Sequence, residues 1–210
     1  MANAWFRFKQ FTIEQSRCAM KVGMDGVTLG AWTPVEGAQR ILDIGTGSGL
    51  IALMLAQRAP WALIDALEIE PAAAQQAQEN VLASPWPDRV QVHTGALQTW
   101  QAPAYDLIVS NPPYFVPGPP AATVARDQAR STHTLSHADL LQHALRLLAP
   151  RGRLALILPT EVGERCQQLA GQFGLVTQRR VRLTPCPGKA SNRYLLLFSR
   201  ENIQEVDGNI

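Results

Sequence analysis

Cysteine, charge and long apolar runs are all scarce in this sequence. Its three cysteines, Cys18, Cys166 and Cys186, lack CxxC spacing, which argues against a disulfide framework and a zinc site. The four histidines show no HExxH spacing, so no metal is expected. No apolar run is long enough to span a bilayer, and residues 1–10 lack the continuous apolar stretch of a signal peptide. We therefore expect a cytoplasmic protein without a membrane partner.

The composition is that of an ordinary globular protein. A chain of 210 residues, 46% of them apolar, fits one domain that buries a substantial core. The formal net charge is only +2. A nucleic-acid partner would therefore have to bind at a local basic patch rather than through the charge of the whole molecule.

Short apolar runs alternate with helical patterns, which predicts a mostly parallel sheet with helices on both faces. Strands are predicted at residues 40–44, 63–69, 90–93 and 106–110, with helices at 48–59 and 71–83. Ser136 and Asp139 form a capping box for a helix that ends near Pro150. A strand at 153–158, a helix at 161–173 and two strands at 176–183 and 193–199 follow. The fold class is α/β. The order of strands and helices matches a Rossmann-like, seven-stranded class I methyltransferase sheet better than it matches a dehydrogenase fold. Such a sheet is mostly parallel, with one antiparallel strand.

A glycine-rich turn joins the first predicted strand to its helix. It reads DxGxGxG, with Asp43 followed by Gly45, Gly47 and Gly49, and glycines let a backbone approach a ligand closely. No lysine follows, which excludes a Walker A loop, and Leu50 stands where the dinucleotide fingerprint needs glycine. Such a loop suits a ligand with an amino-acid moiety and no phosphate. Asp43 can face an ammonium, directly or through water, and the loop amides can meet a carboxylate; S-adenosylmethionine carries both groups.

A carboxylate at the end of the second strand is the expected partner of the cofactor ribose. Glu68 lies 25 residues after Asp43, where an acidic side chain can accept both ribose hydroxyls. Glu68 is preferred over Glu70 because Glu70 already enters the next turn.

The fourth strand runs directly into Asn111, Pro112, Pro113 and Tyr114. Ligands of open α/β sheets bind beyond the carboxyl ends of the strands, so this tetrapeptide is expected to face the cofactor. An aryl amine is a poor nucleophile, and two acceptors, the Asn111 side-chain oxygen and the Pro112 carbonyl, would hold its hydrogens and direct its lone pair to the methyl group. Tyr114 offers a face on which a base stacks. We predict a methyltransferase acting on an exocyclic amino nitrogen.

Several further blocks resemble a known family. They are FRFKQF at residues 6–11, CAMKVGMDG at 18–26, LGAW at 29–32, and residues 111–115, 129–130, 135–141 and 193–199. On these residues, over nearly its whole length, the chain resembles the bacterial tRNA1(Val) (adenine-37-N6)-methyltransferases. The NPPY core is shared with DNA adenine and protein glutamine methyltransferases, and the N-terminal block is what selects the tRNA family.

The resemblance implies methyl transfer from S-adenosylmethionine to N6 of adenosine 37, in the anticodon loop of a tRNA. It also implies that residues 21–29 close over the cofactor, which adds Lys21, Gly23 and Asp25 to the cofactor contacts. The family commonly has an aspartate after the third strand that bonds the cofactor adenine, whereas Ala96 can supply only backbone contacts here. Met24 replaces a usual threonine, and the family's aromatic C-terminal tail is missing.

Basic side chains near both ends of the chain are candidate phosphate contacts for the RNA. In the N-terminal part they are Lys9, Arg17 and Lys21; in the C-terminal part they are Arg179, Arg180, Arg182, Lys189 and Arg193. A polar segment with Arg126 and Arg130 could form a loop that RNA orders.

The expected organisation is a lid and substrate-recognition segment at residues 1–36, a methyltransferase domain at 37–200 and a disordered tail at 201–210, in a monomer. Two alternatives stay open. One is methylation of a glutamine side chain in a release factor, or of DNA adenine. The other is a non-catalytic RNA-binding protein with a decayed methyltransferase fold, against which the intact Asp43, Glu68 and residues 111–114 speak.

Overall fold

The computed structural model describes residues 3–113, 135–184 and 192–201, the single residues 186, 188 and 190, and the backbone of residues 206–209. The N-terminal part contains strands β1 (Trp5–Arg7) and β2 (Thr12–Glu14) and helix α1 (Met24–Trp32). The strands of the large sheet are β3 (Arg40–Ile44), β4 (Leu63–Glu68), β5 (Val90–Thr94), β6 (Tyr105–Ser110), β7 (Leu148–Pro159), β8 (Val176–Leu183), β9 (Arg193–Ser199) and β10 (Val206–Asn209). Its helices are α2 (Leu50–Arg58), α3 (Pro71–Leu82), α4 (His137–Leu147) and α5 (Thr160–Gln172).

The large sheet has the order β10-β8-β9-β7-β6-β3-β4-β5, and only β9 runs antiparallel to its neighbours among the described strands. The predicted fold class is confirmed, with seven strands in the expected arrangement and helices on both faces. The predicted bounds of β3, β8 and β9 equal those observed. These runs are apolar or alternating and end at turn residues, so the sequence marks both ends.

An eighth strand was not predicted. Residues 206–209 pair in parallel with Arg179–Arg182 of β8, where the sequence predicts a tail without regular structure. The free edge of β8 offers a row of backbone donors and acceptors. A short segment can add to such an edge through main-chain hydrogen bonds alone, so four residues need no apolar pattern to form this strand.

The junction of α4 and β7 also differs from the prediction. The N-terminus is as expected, since the Ser136 hydroxyl accepts a hydrogen bond from the Asp139 amide at 3.0 Å. The helix ends at Leu147, however, and β7 begins at Leu148 rather than at residue 153. A shift of register in the β6–β7 ladder accommodates Pro150, which has no N–H to donate.

No helix connects β5 to β6, although an alternating pattern would place one there: the ten residues 95–104 contain one turn, at 97–99, and are otherwise irregular. A polar cluster on the sheet occupies this region. The Tyr105 hydroxyl donates to Asp65 Oδ2 at 2.8 Å and accepts from Trp100 Nε1 at 3.1 Å. His93 Nε2 lies 2.7 Å from Asp65 Oδ1. Burial, together with the Asp65 bond, raises the pKa of Tyr105 to about 12, so its hydroxyl stays protonated as a donor.

Helix α1 lies against α2 through two glycines one turn apart. A Cβ on Gly26 would come 3.0 Å from Leu50 Cδ2, and one on Gly30 would come 2.8 Å from Met54 Sδ. The backbone of α1 can approach α2 this closely because neither glycine carries a side chain. Arg58 of α2 then donates to the carbonyls of Gly30 and Thr33 at the end of α1. This packing holds helix α1, and the residues that join it to β3, against helix α2.

None of the helices in the described ranges has the length and apolarity needed to cross a membrane.

Candidate active site

The predicted site residues meet at one edge of the sheet because their strands are parallel and in register. Ile44, the last residue of β3, stands opposite Leu67 of β4 and Ser110 of β6. Glu68 stands opposite Thr94 of β5. The turns that follow these four strands therefore lie side by side, which is where open α/β sheets bind ligands.

Asp43 is a buried carboxylate, and one of its two oxygens has no hydrogen-bond partner among the described residues. Its side chain is fully buried. Oδ2 accepts from the Thr46 hydroxyl at 2.6 Å and from the Ala52 amide at 3.1 Å, while Oδ1 is buried and has no partner among the described residues. Burial is the main reason why the pKa of Asp43 is raised to about 7. A buried acceptor without a donor is costly, and the ammonium of a cofactor could supply that donor.

The three glycines of the turn share a backbone conformation but differ in their surroundings. All adopt positive φ, of 69° at Gly45, 57° at Gly47 and 82° at Gly49, a region that other residues rarely enter. A Cβ on Gly45 or Gly47 would meet nothing within 4 Å, whereas one on Gly49 would lie 3.5 Å from Ala77 Cβ. The first two glycines thus border open space at the cofactor edge, and Gly49 lets α2 begin against α3.

The amides of this turn donate within the protein. Gly45 N and Thr46 N both bond to the Leu67 carbonyl, at 2.8 and 3.1 Å, and Gly49 N bonds to the Thr46 carbonyl at 2.9 Å. Gly47 N donates to Glu68 Oε2 at 2.8 Å. In the structure these four amides hold the turn in shape through the β3–β4 connection; that the loop amides meet a cofactor carboxylate stays a prediction.

Glu68 lies where the sequence predicts it, at the end of β4 and only 8% exposed. Besides Gly47 N, its carboxylate accepts from the amides of Ile69 at 2.9 Å and Glu70 at 3.0 Å. These three bonds aim the carboxylate across the turn. A carboxylate offers about four acceptor positions, so Glu68 retains capacity for a ribose hydroxyl. Glu70 instead precedes α3 as its N-cap residue, which supports the choice of Glu68.

Ala96 belongs to the same edge. The Gly95 amide donates to the Glu68 carbonyl at 2.8 Å, which places Ala96 beside the end of β4. Ala96 is half-buried, and its carbonyl accepts from the Thr99 amide at 3.2 Å.

Asn111 and Pro112 follow β6 at this edge. Ser110 is buried, and its hydroxyl donates to the Ile44 carbonyl at 2.8 Å, so the end of β6 is tied to β3 just before the turn. Asn111 is half-buried, Pro112 buried and Pro113 exposed. Tyr114 lies outside the described residues.

The N-terminal segment runs along the same edge. Lys21 Nζ donates to the Gln15 carbonyl, and the buried Gln15 side chain accepts from the Val22 amide at 2.6 Å. Burial raises the pKa of the nearby Cys18 thiol, with Lys21 opposing and Glu68 adding to this rise. The contacts of Lys21 and Val22 with Gln15 hold this segment together, and closure of residues 21–29 over the cofactor stays a prediction. Gly23 precedes α1 as its N-cap residue.

Asp25 forms an ion pair that the sequence does not predict. Its Oδ2 accepts from Arg193 Nε at 2.8 Å, across 168 residues of chain. A proposed cofactor contact and a proposed RNA contact are thus bound to each other, and the pair fastens the first turn of α1 to the start of β9. Only the tertiary fold brings them together.

Asn80 is the residue that sequence reasoning missed. It is buried on α3; its Oδ1 accepts from the Glu14 amide at 2.9 Å, and its Nδ2 donates to the carbonyls of Glu14 and Ser48, both at 2.8 Å. Asn80 thereby ties β2 to the glycine turn. A signal was present: Ala73, Ala77 and Asn80 fall on one helix face, so a polar side chain interrupts an apolar stripe.

The candidate RNA contacts differ in whether their side chains are exposed or already contact other residues of the protein. Lys9 is exposed. Arg17 forms an ion pair with Glu79 and donates to Gln76 Oε1 at 3.3 Å, so it braces the segment on α3. Arg180 lies 5.7 Å from the centre of the Tyr194 ring. Arg130 and Lys189 lie outside the described residues.

The residues that the structure describes contain no group of three or more side chains suited to a metal ion.

Known proteins resemble this chain in both sequence and fold. The sequence model of the family described as "Methyltransferase small domain" matches residues 31–181. The "tRNA1(Val) (adenine(37)-N6)-methyltransferase" of Tolumonas auensis is 55% identical over 197 residues, which cover 93% of this chain and 83% of the relative. A protein of the same name from Aeromonas hydrophila is 51% identical over 199 residues, covering 94% and 84%.

Among solved structures, a predicted O-methyltransferase from Agrobacterium tumefaciens superposes with a TM-score of 0.67 at 19% identity, covering 89% of this chain and 86% of its own. That likeness shows the fold alone. The resemblance seen in the sequence blocks is confirmed by the two relatives, and S-adenosylmethionine is the methyl donor that the methyltransferase family implies. The chain belongs to the methyltransferase small domain family, in the branch of these bacterial relatives.

Proposed function

We propose that this chain transfers a methyl group from S-adenosylmethionine to N6 of adenosine 37 in a tRNA, and that the tRNA is tRNA1(Val), as the names of its relatives state. The observation that carries the proposal is the placement of Asn111 and Pro112 at the edge shared with Asp43 and Glu68. The turn after β6, which would hold the substrate amine, therefore lies beside the glycine turn after β3, which would hold the cofactor.

The residues at this edge fit the cofactor. The unpartnered Asp43 Oδ1 suits its ammonium, the open space beside Gly45 and Gly47 admits its chain, and Glu68 keeps an acceptor position for its ribose. When bound, S-adenosylmethionine supplies an electrophilic methyl group on a sulfonium. The half-buried Ala96 adds backbone contacts only, and residues 21–25 cover the cofactor from the N-terminal side.

Asn111 and Pro112 act on the substrate amine. Its nitrogen lone pair is delocalised into the ring, which makes it a weak nucleophile. Acceptors from the Asn111 side chain and the Pro112 carbonyl hold the two hydrogens, favour the ammonium that develops, and direct the lone pair at the methyl group. The methylated ammonium is acidic enough to lose its proton to water, so the turn needs no protein base. Tyr114 would stack on the base.

We further propose that the protein acts as a monomer, in the cytoplasm, on the anticodon loop. A base must leave its stack to reach such a site, and this costs least in a single-stranded loop.

The test is incubation with methyl-labelled S-adenosylmethionine and, separately, an unmodified tRNA1(Val) transcript, DNA and a release factor. Digestion of the tRNA to nucleosides should give labelled N6-methyladenosine. Label in glutamine or in DNA alone would move the assignment to those substrates. No label in any of them would favour a non-catalytic RNA-binding protein.

The variant Asn111→Ala tests the role of the turn. We expect at least a hundredfold loss of transfer, because one aligned acceptor is removed from the transition state, while the Kd for S-adenosylmethionine in calorimetry changes little. Gln57→Ala is the matched control, since this exposed amide lies near the end of α2, away from the cofactor edge. Transfer by Asn111→Ala at the rate of the control would refute the assignment.

A further inference from the structure

The N-terminal hairpin is more basic than the rest of the chain. Residues 3–22 contain four basic residues, Arg7, Lys9, Arg17 and Lys21, and one acidic residue, Glu14. Their net charge of +3 exceeds the +2 of the whole chain. Arg17 is paired with Glu79, but Arg7 and Lys9 are exposed and have no acidic partner in the part of the chain that the structure describes.

The same hairpin exposes large aromatic side chains. All of β1 is exposed, with Trp5 at 51% and Phe6 at 45% of their surface. Because side chains alternate along a strand, Trp5 and Arg7 project from one face of β1 and Phe6 from the other, so the exposed side chains of β1 lie on both of its faces. Phe6 begins a row of rings with Phe8 and Phe11, at centroid distances of 4.9 and 4.7 Å. We name Trp5, Phe6, Arg7 and Lys9 the hairpin platform.

The Trp5 end of the hairpin platform is linked to the active site, whereas Phe11, near the hairpin turn, packs on Trp86, which precedes β5. β2 pairs with β1 in the register Trp5 opposite Glu14 and Phe6 opposite Ile13. Asn80 binds Glu14 on one side and the carbonyl of Ser48, in the glycine turn, on the other. Three successive contacts, Trp5 with Glu14, Glu14 with Asn80, and Asn80 with Ser48, therefore connect Trp5 to the cofactor turn. A polymer whose target base enters the site can therefore extend over the Trp5 end of this surface.

We propose that the hairpin platform binds RNA nucleotides beside the target base, with Trp5 and Phe6 as stacking surfaces and Arg7 and Lys9 as phosphate contacts. This rests on the proposed function. RNA is favoured over a protein partner because two exposed cations interleave with two exposed rings, with no acidic side chain among residues 3–13. Cations that follow a phosphate backbone beside rings that stack on bases are what binding of single-stranded nucleic acid requires.

The first test removes the rings. The double variant Trp5→Ala/Phe6→Ala is titrated with an unmodified tRNA1(Val) transcript, and its Kd is compared with that of wild type. We expect Kd to rise about fivefold or more, the lower end of what one lost stacking contact costs. Trp61→Ala is the matched control: this tryptophan is 89% exposed, between α2 and β4, at the opposite edge of the sheet. The Kd for S-adenosylmethionine should be unchanged in both variants.

The second test removes charge. For Arg7→Gln we expect the slope of log Kd against log salt to fall in magnitude by about 0.7 to 0.9, the value for one lost phosphate contact. Arg151→Gln, with a side chain 92% exposed near the start of β7, should keep the wild-type slope. Since Arg7 is exposed, this variant decides the question even if circular dichroism shows that the aromatic variant fails to fold.

The outcomes separate the two proposals. If wild type forms N6-methyladenosine but both hairpin variants bind tRNA as it does, the hairpin platform is wrong and the proposed function stands. If tRNA binding falls as expected but no methyladenosine appears, the proposed function fails and the platform stands. A wild type that does not bind tRNA overturns both. Self-association that the aromatic variant abolishes, with tRNA affinity unchanged, would assign the platform to a second copy of the chain.

Discussion

Replacing Asp43 with asparagine should change how the stability of the protein depends on pH. The rise of the Asp43 pKa from 3.8 to about 7 corresponds to about 4 kcal/mol, as an upper bound, at about 1.36 kcal/mol per pKa unit. The folded state binds this proton more tightly than the unfolded state. The contribution of Asp43 to the free energy of unfolding is therefore highest at or below about pH 4, falls as pH rises towards 7, and levels off above 7, where a buried charge has to be carried.

Asparagine preserves the shape of the site but does not titrate. Its side-chain oxygen can accept the bonds from Thr46 and Ala52 that Asp43 Oδ2 accepts. Its amide nitrogen would take the place of the unpartnered Oδ1, with a fixed cost at every pH. That cost cancels when the two proteins are compared at two pH values, so only the titration of Asp43 remains in the difference.

The assay is thermal unfolding of wild type and Asp43→Asn without cofactor, from about pH 5 to about pH 8. The gap between their melting temperatures should shift in favour of the variant by up to about 10 °C as pH rises, since about 1 kcal/mol moves the melting temperature of a chain this size by about 2–4 °C. Thr94→Ala, an exposed position that does not titrate, is the control and should track wild type. A gap that stays constant across the range would refute the argument.

Cofactor binding should show the opposite trend, because the ammonium requires the ionised carboxylate. The Kd of wild type for S-adenosylmethionine should rise about tenfold for each pH unit below 7 and be level above it. Asp43→Asn should bind weakly at every pH, since its amide hydrogens face the ammonium. Calorimetry at matched salt measures both. Equal affinity of the two proteins would mean that Asp43 does not meet the cofactor.

Two further predictions concern positioning. Asn80→Ala should lower the free energy of unfolding by about 2–3 kcal/mol, because the backbone of Glu14 and the buried carbonyl of Ser48 lose their partner. The exposed Gln75→Ala on the same helix should change it by less than about 0.5 kcal/mol in urea denaturation. Gly30→Ala should cost about 1–3 kcal/mol, since its Cβ would press on Met54. Gly171→Ala, also in a helix but facing open space, should instead stabilise by about 0.5–1 kcal/mol, and a loss there equal to that at Gly30 would contradict the packing explanation.

Several elements could be predicted because their determinants are local. The strands β3, β8 and β9 are bounded by turn residues, and Ser136 caps α4 through a hydroxyl three residues from its partner. The β1–β2 hairpin and α1 could not be predicted as elements by the same means. β1 and β2 have three residues each, too few to show a period. Helix α1 depends on two glycines that allow α2 to pack closely against it, which is a tertiary contact.

The sequence by itself determined the chemistry and the fold class of this protein. DxGxGxG after a strand, an acidic strand end and Asn-Pro-Pro after a later strand are each set by neighbours in the chain, and parallel strands bring such ends to one edge. Only the tertiary structure decided which donors and acceptors remain free there. In the tertiary structure the amides of Gly45 and Gly47 donate to residues of β4. Asp25 pairs with Arg193, and Asn80 lies between the hairpin and the glycine turn. Those contacts join residues 21 to 168 positions apart, and no local pattern encodes a distance in space.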